Sequence, residues 1–214
     1  MSAPEKKKLQ TVLIRMLVGA ICGALAIGLF INFVGKPFMD LKDPATAIAI
    51  IAGVSYVLIG LMVGIGAAAP KVGARFLNVE DEEELREETP KLMPASAVFV
   101  LTGLFLMLLA LPNSGPMAIS RELGLATAAI LIAGISAAGW IANGKNDELT
   151  RKMGQEVASI TLQATMLLLG AWAALAQFGY AAWVSPLALL SALVLLQLFI
   201  SFVVIARKGM MMRV

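Results

Sequence analysis

The stretch ATAIAIIAGVSYVLIGLMVGIGAAA, residues 45–69, contains no charged side chain. An α-helix rises about 1.5 Å per residue, so this stretch is long enough to cross the roughly 30 Å hydrocarbon core of a bilayer. Hydrophobic residues make up 59% of the 214-residue chain and charged residues 14%, with a mean hydropathy of +0.87. Soluble domains are about 45–50% apolar and 25% charged. The sequence therefore predicts an all-α, polytopic transmembrane helix bundle.

Similar apolar runs on both sides of residues 45–69 predict one membrane domain of about six spans in three hairpins. Proline and glycine clusters at residues 35–37 and 112–116 mark turns between paired spans. The first run follows Lys6, Lys7 and Lys8, as in a signal peptide, but it is too long for one, so a retained span is predicted. The predicted spans are 11–34, 45–69, 94–111, 117–143, 157–178 and 183–206.

Lysine and arginine are distributed unequally between the two sides of the predicted bundle. Of the 17 such residues, 14 fall on one side, and three (Lys36, Lys42 and Arg121) fall on the other. Cytoplasmic loops of membrane proteins retain lysine and arginine. Both termini and the loops around residues 70–93 and 144–156 are therefore predicted to be cytoplasmic.

Several kinds of chemistry are disfavoured by residues that the sequence lacks. It has no histidine and one cysteine, Cys22, which excludes imidazole ligation, Cys-rich zinc sites and an intrachain disulfide. No basic patch with interleaved aromatic residues suggests nucleic-acid binding. No loop carries a nucleophile and base pair or a phosphate-binding glycine loop. We therefore predict no cofactor, no metal and no enzymatic activity.

The segment between spans four and five contains helix-boundary signals. Gly144 suits the C-cap of one helix, and Asn146 or Asp147 suits the N-cap of the next. A turn of only a few residues predicts that spans four and five are antiparallel neighbours.

Charged residues after this turn have the spacing of helical ion pairs. Asp147 with Arg151, and Glu148 with Lys152, are four residues apart in the favourable orientation. Glu156 lies one turn further along and is predicted to pair with Lys152 in the headgroup region. The helix is therefore expected to begin in water and then to enter the membrane as span five.

The sequence Asp-Glu-Leu-Thr-Arg at residues 147–151 resembles the Asp-Glu-apolar-x-Arg segment that precedes a span in small uncharacterised bacterial inner-membrane proteins. The resemblance covers this short segment only. It implies a location in a bacterial inner membrane, and it implies no activity.

An acidic cluster at residues 80–88 precedes span three. Charge runs are usually solvated, so we predict a surface helix. Docking of a basic partner and loose binding of a divalent cation are the functional alternatives. The candidate residues for cytoplasmic docking are Glu83, Glu84, Asp147, Glu148 and Arg151.

The predicted spans carry no ionisable residue near their centres. Ionisable residues at that depth usually mark proton relays and ion pathways, so an ion-coupled pump is disfavoured. Span five carries Ser159, Gln163 and Thr165, which are expected to form hydrogen bonds between helices. The alternative is that these three residues line a substrate cavity.

Small residues recur at four-residue spacing in several spans, which allows helix backbones to approach closely. Span six has few small residues and is predicted to be a lipid-facing outer helix. The candidate helix-packing residues are Gly19, Gly23, Gly60, Gly64, Gly134 and Ala138.

These features favour a non-enzymatic accessory, scaffold or regulatory protein of the inner membrane. Its expected partners are membrane lipid, another membrane protein or a second copy of the chain. The alternative is a transporter for a neutral or lipid-like small molecule. A transporter needs a substrate-sized cavity near mid-membrane, whereas a scaffold does not.

Overall fold

The computed structural model describes residues 23–35, 43–74, 77, 79, 81–111 and 119–208. Within these residues the secondary structure is helical, without strands. Helix α1 covers Gly23–Phe33, and a π-helical turn covers Ile31–Gly35. The following helices are α2 (Pro44–Ala68), α3 (Pro70–Gly73), α4 (Glu82–Leu109), α5 (Arg121–Lys145), α6 (Glu148–Gln177) and α7 (Pro186–Arg207).

Five of these helices, α2 and α4 to α7, are long and apolar enough to cross a membrane. This confirms an all-helical protein of the multi-pass membrane type. Residues 11–22 of the first predicted span and both chain termini lie outside the described residues. The total of six spans and the side on which the termini lie therefore stay predictions.

Each of the five long helices begins with a side chain that caps its first turn. The capping oxygens accept hydrogen bonds of 2.7–3.3 Å from backbone N–H groups two or three residues further along the chain. These N–H groups have no partner within the helix, so the caps fix where each helix begins. The capping residues are Asp43, Asp81, Ser120, Asp147 and Ser185.

Helix α4 begins well before the apolar run at residues 94–111 from which span three was predicted. The acidic cluster forms the first turns of this same helix, which continues through Pro90 and Pro94. Leu85 anchors the charged turns because its side chain is fully buried. The Thr89 hydroxyl lies 2.8 Å from the Leu85 carbonyl and 3.2 Å from the Ala67 carbonyl at the end of α2. The charged start of α4 is therefore attached to the rest of the bundle.

Helices α2 and α4 form the most extensive helix contact of the described structure. Glycines of α2 allow the two backbones to lie so close that a side chain would not fit. A Cβ atom added at Gly53 would lie 2.8 Å from the Gly103 carbonyl oxygen. One added at Gly60 would lie 2.8 Å from the Ser96 carbonyl oxygen. Gly64 faces the Ser96 side chain. Such close approach is how membrane helices gain packing energy, because lipid removes most of the hydrophobic driving force between them.

Helix α7 packs against α2 on one side and α6 on the other. The Tyr56 hydroxyl of α2 donates a 2.8 Å hydrogen bond to the Val194 carbonyl of α7, and its ring stacks on Phe99 of α4 with centroids 5.2 Å apart. Ser191 and Val204 of α7 are almost fully buried. The prediction that span six is a lipid-facing outer helix holds for only part of its surface: Phe199, Phe202 and Val203 are exposed, while Ser191 and Val204 are buried against the bundle.

Two of the three predicted hairpins are packed helix pairs, α4 with α5 and α6 with α7. Helix α1 lies near α2, since Ile27 and Phe30 contact the cluster that includes Ile50 and Val54. Neither α5 nor α6 contains a buried residue. The best-covered part of the described bundle is therefore formed by α2, α4 and α7.

Candidate functional site: the uncovered face of α6 and the turn before it

The turn between α5 and α6 consists of two extended residues. Asn146 (φ −70°, ψ 136°) ends α5, and Asp147 (φ −68°, ψ 172°) caps α6. Of the two predicted N-caps, Asn146 and Asp147, the structure has Asp147. The predicted Gly144 C-cap is wrong, because α5 continues through Gly144 to Lys145 and the turn needs no left-handed residue.

The turn at the other end of α6 is built differently. Gly179 adopts φ 77°, and the Tyr180 N–H donates a 2.9 Å hydrogen bond to the Leu175 carbonyl, as in a Schellman motif. This turn reverses the chain, and α7 then packs along α6. Across the extended Asn146–Asp147 turn, by contrast, α5 and α6 diverge and share no extended contact. The prediction that spans four and five are antiparallel neighbours is therefore wrong as to their contact, although the turn is as short as predicted.

Lys91 of α4 attaches the start of α6 to the bundle. Its ammonium group lies 2.8 Å from the Glu88 carboxylate and 3.4 Å from the Asp147 carboxylate. Hydrogen bonds from Thr150 and, to a smaller extent, the charge of Lys91 hold the pKa of Asp147 below its ordinary value. Asp147 is therefore ionised at neutral pH and serves both as a helix cap and as an ion-pair partner.

One of the two ion pairs predicted at the start of α6 is present. Glu148 and Lys152 lie 2.8 Å apart, as predicted. The predicted Asp147–Arg151 pair is absent, because Asp147 is oriented toward Thr150 and Lys91. Arg151 forms no ion pair with any residue that the structure describes.

Glu156 pairs with a residue of another helix. Its carboxylate lies 2.7 Å from the ammonium group of Lys208, which caps the end of α7. The predicted partner, Lys152, is paired with Glu148. The antiparallel α6–α7 hairpin accounts for this, since it returns the end of α7 to the first turns of α6.

The candidate docking residues lie on the surface at the starts of α4 and α6. Four of them, Glu83, Asp147, Glu148 and Arg151, are exposed, and Glu84 is half-buried. The Lys91–Asp147 ion pair connects these two helix starts. The structure therefore brings the acidic segment and the α5–α6 turn to the same end of the bundle.

Helix α6 is amphipathic, and its polar side is uncovered. We define the α6 polar face as Lys152, Gln155, Ser159 and Gln163. These residues follow one another at three- or four-residue spacing, so they lie on one side of the helix, and all four are exposed. The half-buried residues of the same turns, including Ile160, Thr161, Ala164, Thr165 and Leu169, form the opposite side. That opposite side faces α7, where Thr165 and Leu169 help line a cavity of about 360 Å³.

Most hydroxyl groups of the other spans bond to their own helix, whereas the polar side chains in the membrane part of α6 do not. The hydroxyls of Ser55, Thr127, Ser136, Ser191 and Ser201 each donate to the carbonyl four residues earlier, at 2.7–2.8 Å. The side chains of Ser159 and Gln163 form no hydrogen bond to any described residue. The Thr161 hydroxyl is also unpaired within the described structure, although it is buried.

The structure places the three candidate cavity residues of span five on different sides of α6. Thr165 faces α7, whereas Ser159 and Gln163 lie on the exposed polar face. Residues 163 and 165 are about 200° apart around a helix of 3.6 residues per turn. These positions are suited to two different contacts and do not form one substrate site.

The candidate packing residues have different surroundings. Gly60 and Gly64 lie in the α2–α4 contact, and a Cβ added at Gly134 of α5 would lie 3.2 Å from Leu101 of α4. Ala138 is half-buried on α5. Gly23 is not in a close contact, since a Cβ added there would have no neighbour within 4 Å. Gly19 lies outside the described residues. The Gly53–Gly103 contact was not predicted, since Gly103 is the single glycine of residues 94–111 and has no small residue four positions away.

A cavity of about 290 Å³ lies where α5 ends and α6 begins, next to the two-residue turn. It is lined by Trp140, Asn143, Gly144 and Arg151. The Trp140 side chain is strongly exposed. The divergence of α5 and α6 leaves this space open.

No protein-family model, curated protein or solved structure matches this chain. The location in a bacterial inner membrane that residues 147–151 imply therefore stays a prediction.

Proposed function

We propose that this chain is a non-enzymatic accessory or scaffold protein of a bacterial inner membrane. In this proposal, the α6 polar face binds a transmembrane helix of another membrane protein. The observation that carries the proposal is the exposure of Gln163, without a hydrogen-bond partner among the described residues, in the apolar part of α6. Gln163 is seven residues beyond the Glu156–Lys208 ion pair, or about 10 Å along the helix axis.

An amide group at that depth needs a partner. Transfer of an amide to hydrocarbon without a hydrogen bond costs several kcal/mol, and polar side chains of membrane helices therefore tend to face other helices. In the described structure, α7 packs on the opposite side of α6, and α5 diverges from α6. A helix from another protein would satisfy Gln163 and would keep the polar face away from lipid.

The α6 polar face defines the chemistry of this partner. The Gln163 amide both donates and accepts hydrogen bonds, so the partner helix should carry an amide or hydroxyl group at the same depth. Ser159, and Gly170 two turns beyond Gln163, are small and exposed, which allows two backbones to approach closely. Gln197 of α7 is likewise exposed, and its side chain forms no hydrogen bond to a described residue, but it stands alone: Ser201, one turn away, is half-buried and donates to its own helix.

The proposed orientation places both termini and the α5–α6 turn in the cytoplasm. It is supported by the 14-to-3 distribution of lysine and arginine. Exposed charges at the starts of α4 and α6 would then contact the cytoplasmic part of the same partner. An alkaline phosphatase fusion at Val214 should have low activity, and high activity would contradict this orientation.

Gln163→Leu should weaken the complex with the partner. A polar contact between membrane helices contributes about 0.6–1.7 kcal/mol, so we expect the affinity for the partner to fall roughly three- to eighteenfold, with a matching loss of bound partner at limiting concentration. The measurement is the ratio of partner to this chain after extraction in mild detergent.

Thr165→Val is the matched control for this variant. It removes a polar group from the same turn, on the side that faces α7, and it should leave the ratio unchanged. An unchanged ratio in Gln163→Leu, or an equal loss in both variants, would contradict binding through the α6 polar face.

Transport of a neutral or lipid-like molecule is the second candidate function. The observation that favours it is an apolar cavity of about 600 Å³ beside α1 and α2, lined by Gly23, Ile27, Ser55 and Met62 among others. A small molecule that raises the melting temperature of the purified protein, but not of Ser55→Leu, would favour transport. Absence of any such ligand in a screen of neutral and lipid-like compounds would argue against it.

A further inference from the structure

The cavity beside the α5–α6 turn combines a cation, an amide and an indole. Arg151, in the first turn of α6, supplies a guanidinium group with five N–H donors, and Asn143 supplies an amide. Trp140 supplies a ring that is 84% exposed. Trp140 lies five residues before the end of α5, or about 7 Å, which is where amphipathic rings settle between headgroups and acyl chains.

The local ion pairs leave the charge of Arg151 available. Asp147 and Glu148 both lie within one turn of Arg151 and would otherwise neutralise it. Asp147 is paired with Lys91, and Glu148 is paired with Lys152. Arg151 is left without an ion-pair partner among the described residues. The cavity therefore has an unneutralised cation on its wall.

The shape of this region suits a ligand with a charged end and an apolar body. Guanidinium groups bind phosphate oxygens through paired N–H donors, more specifically than a lysine ammonium does. Beyond the cavity, diverging α5 and α6 expose apolar side chains that include Ile141, Leu162 and Met166.

We infer that this cavity binds the phosphodiester headgroup of an anionic phospholipid, with Arg151 contacting the phosphate and Trp140 packing on the glycerol region. The acyl chains would lie between α5 and α6. This inference is independent of the partner helix proposed above, because it involves no residue of the α6 polar face.

The test compares lipid binding by the full-length purified chain and by two arginine variants. Binding of phosphatidylglycerol and phosphatidylcholine is measured by native mass spectrometry from detergent. We expect clear preference for phosphatidylglycerol, reduced about tenfold in Arg151→Gln, since hydrogen bonds to charged groups are the stronger class. Arg86→Gln removes the same charge from an exposed arginine of α4 and should retain the preference.

Three results would overturn the inference. Equal binding of the two lipids would show that the headgroup is not recognised. An equal reduction in both arginine variants would show a general effect of surface charge. Displacement of the lipid by millimolar inorganic phosphate would show a site for a soluble anion.

A second measurement examines the site directly. With Trp172 and Trp183 replaced by phenylalanine, Trp140 is the remaining tryptophan of the chain. Phosphatidylglycerol brominated near the glycerol end of its chains should quench this tryptophan more strongly than equally brominated phosphatidylcholine. Equal quenching by the two lipids would contradict the proposed position of the headgroup.

Discussion

Gly103→Leu is expected to leave little folded protein in the membrane. A Cβ atom at residue 103 would overlap the carbonyl oxygen of Gly53, and it would lie 2.8 Å from the backbone nitrogen of Val57. These are backbone atoms of α2, so they cannot move away as the end of a side chain can. Overpacking of a core lowers the free energy of unfolding by about 1–3 kcal/mol, and we expect the decrease here to lie at or above the upper end of that range. The measurements are the yield of monodisperse protein after gel filtration and its melting temperature.

Gly154→Leu is the control for this substitution. Gly154 is a helical glycine of α6 with no atom within 4 Å of an added Cβ, so the larger side chain has space. We expect this variant to be as stable as the wild-type protein. Normal yield and melting temperature for Gly103→Leu would contradict the close α2–α4 contact.

Tyr56→Ala is also expected to destabilise the bundle strongly. Tyr56 is 7% exposed, stacks on Phe99 and donates a hydrogen bond to Val194, so it connects α2 with α4 and α7. Its removal leaves a cavity between three helices. Replacing a buried aromatic residue by alanine typically lowers the free energy of unfolding by about 3–5 kcal/mol. The free energy of unfolding by SDS, measured in mixed micelles, should fall by about that amount.

Tyr56→Phe separates the ring from the hydroxyl. It keeps the stacking on Phe99 and removes the hydrogen bond to the Val194 carbonyl, which should cost about 1 kcal/mol. Equal losses in the phenylalanine and alanine variants would contradict a packing role for the ring. A small loss in both would contradict the position of α7 against α2.

Local sequence features predicted the helices of this protein well. Apolar runs free of charge identified α2 and α7, and Asp147 was one of two adjacent residues predicted to cap α6, because these properties depend on neighbouring residues. The Glu148–Lys152 pair was predictable for the same reason. Each of these features is determined within one or two helical turns.

Contacts between helices were predicted less well. A helix that is apolar on all sides has no periodicity to mark its buried side, so nothing singled out Gly53, Tyr56 or Gly103. Glu156 was assigned to the wrong lysine, because Lys208 is distant in sequence and is brought near by the α6–α7 hairpin. The divergence of α5 and α6 depends on the backbone angles of Asn146 and Asp147, which residue type alone does not determine.

The same limits apply to the candidate functional site. Ser159, Gln163 and Thr165 were recognised as the polar residues of one span, but whether they share a side requires knowing where α7 packs. The structure shows α7 on the Thr165 side, which leaves Gln163 exposed. The proposed partner surface therefore depends on tertiary packing.

Site-specific photo-crosslinking in intact membranes tests the central claim most directly. A benzophenone amino acid is placed at residue 163 or, as the control, at residue 165, and the products of irradiation are identified by mass spectrometry. We predict a discrete adduct with another membrane protein from position 163, while position 165 reacts within the chain, with α7. Adducts with lipid alone from position 163, or the same protein adduct from both positions, would contradict the binding of a partner helix by the α6 polar face.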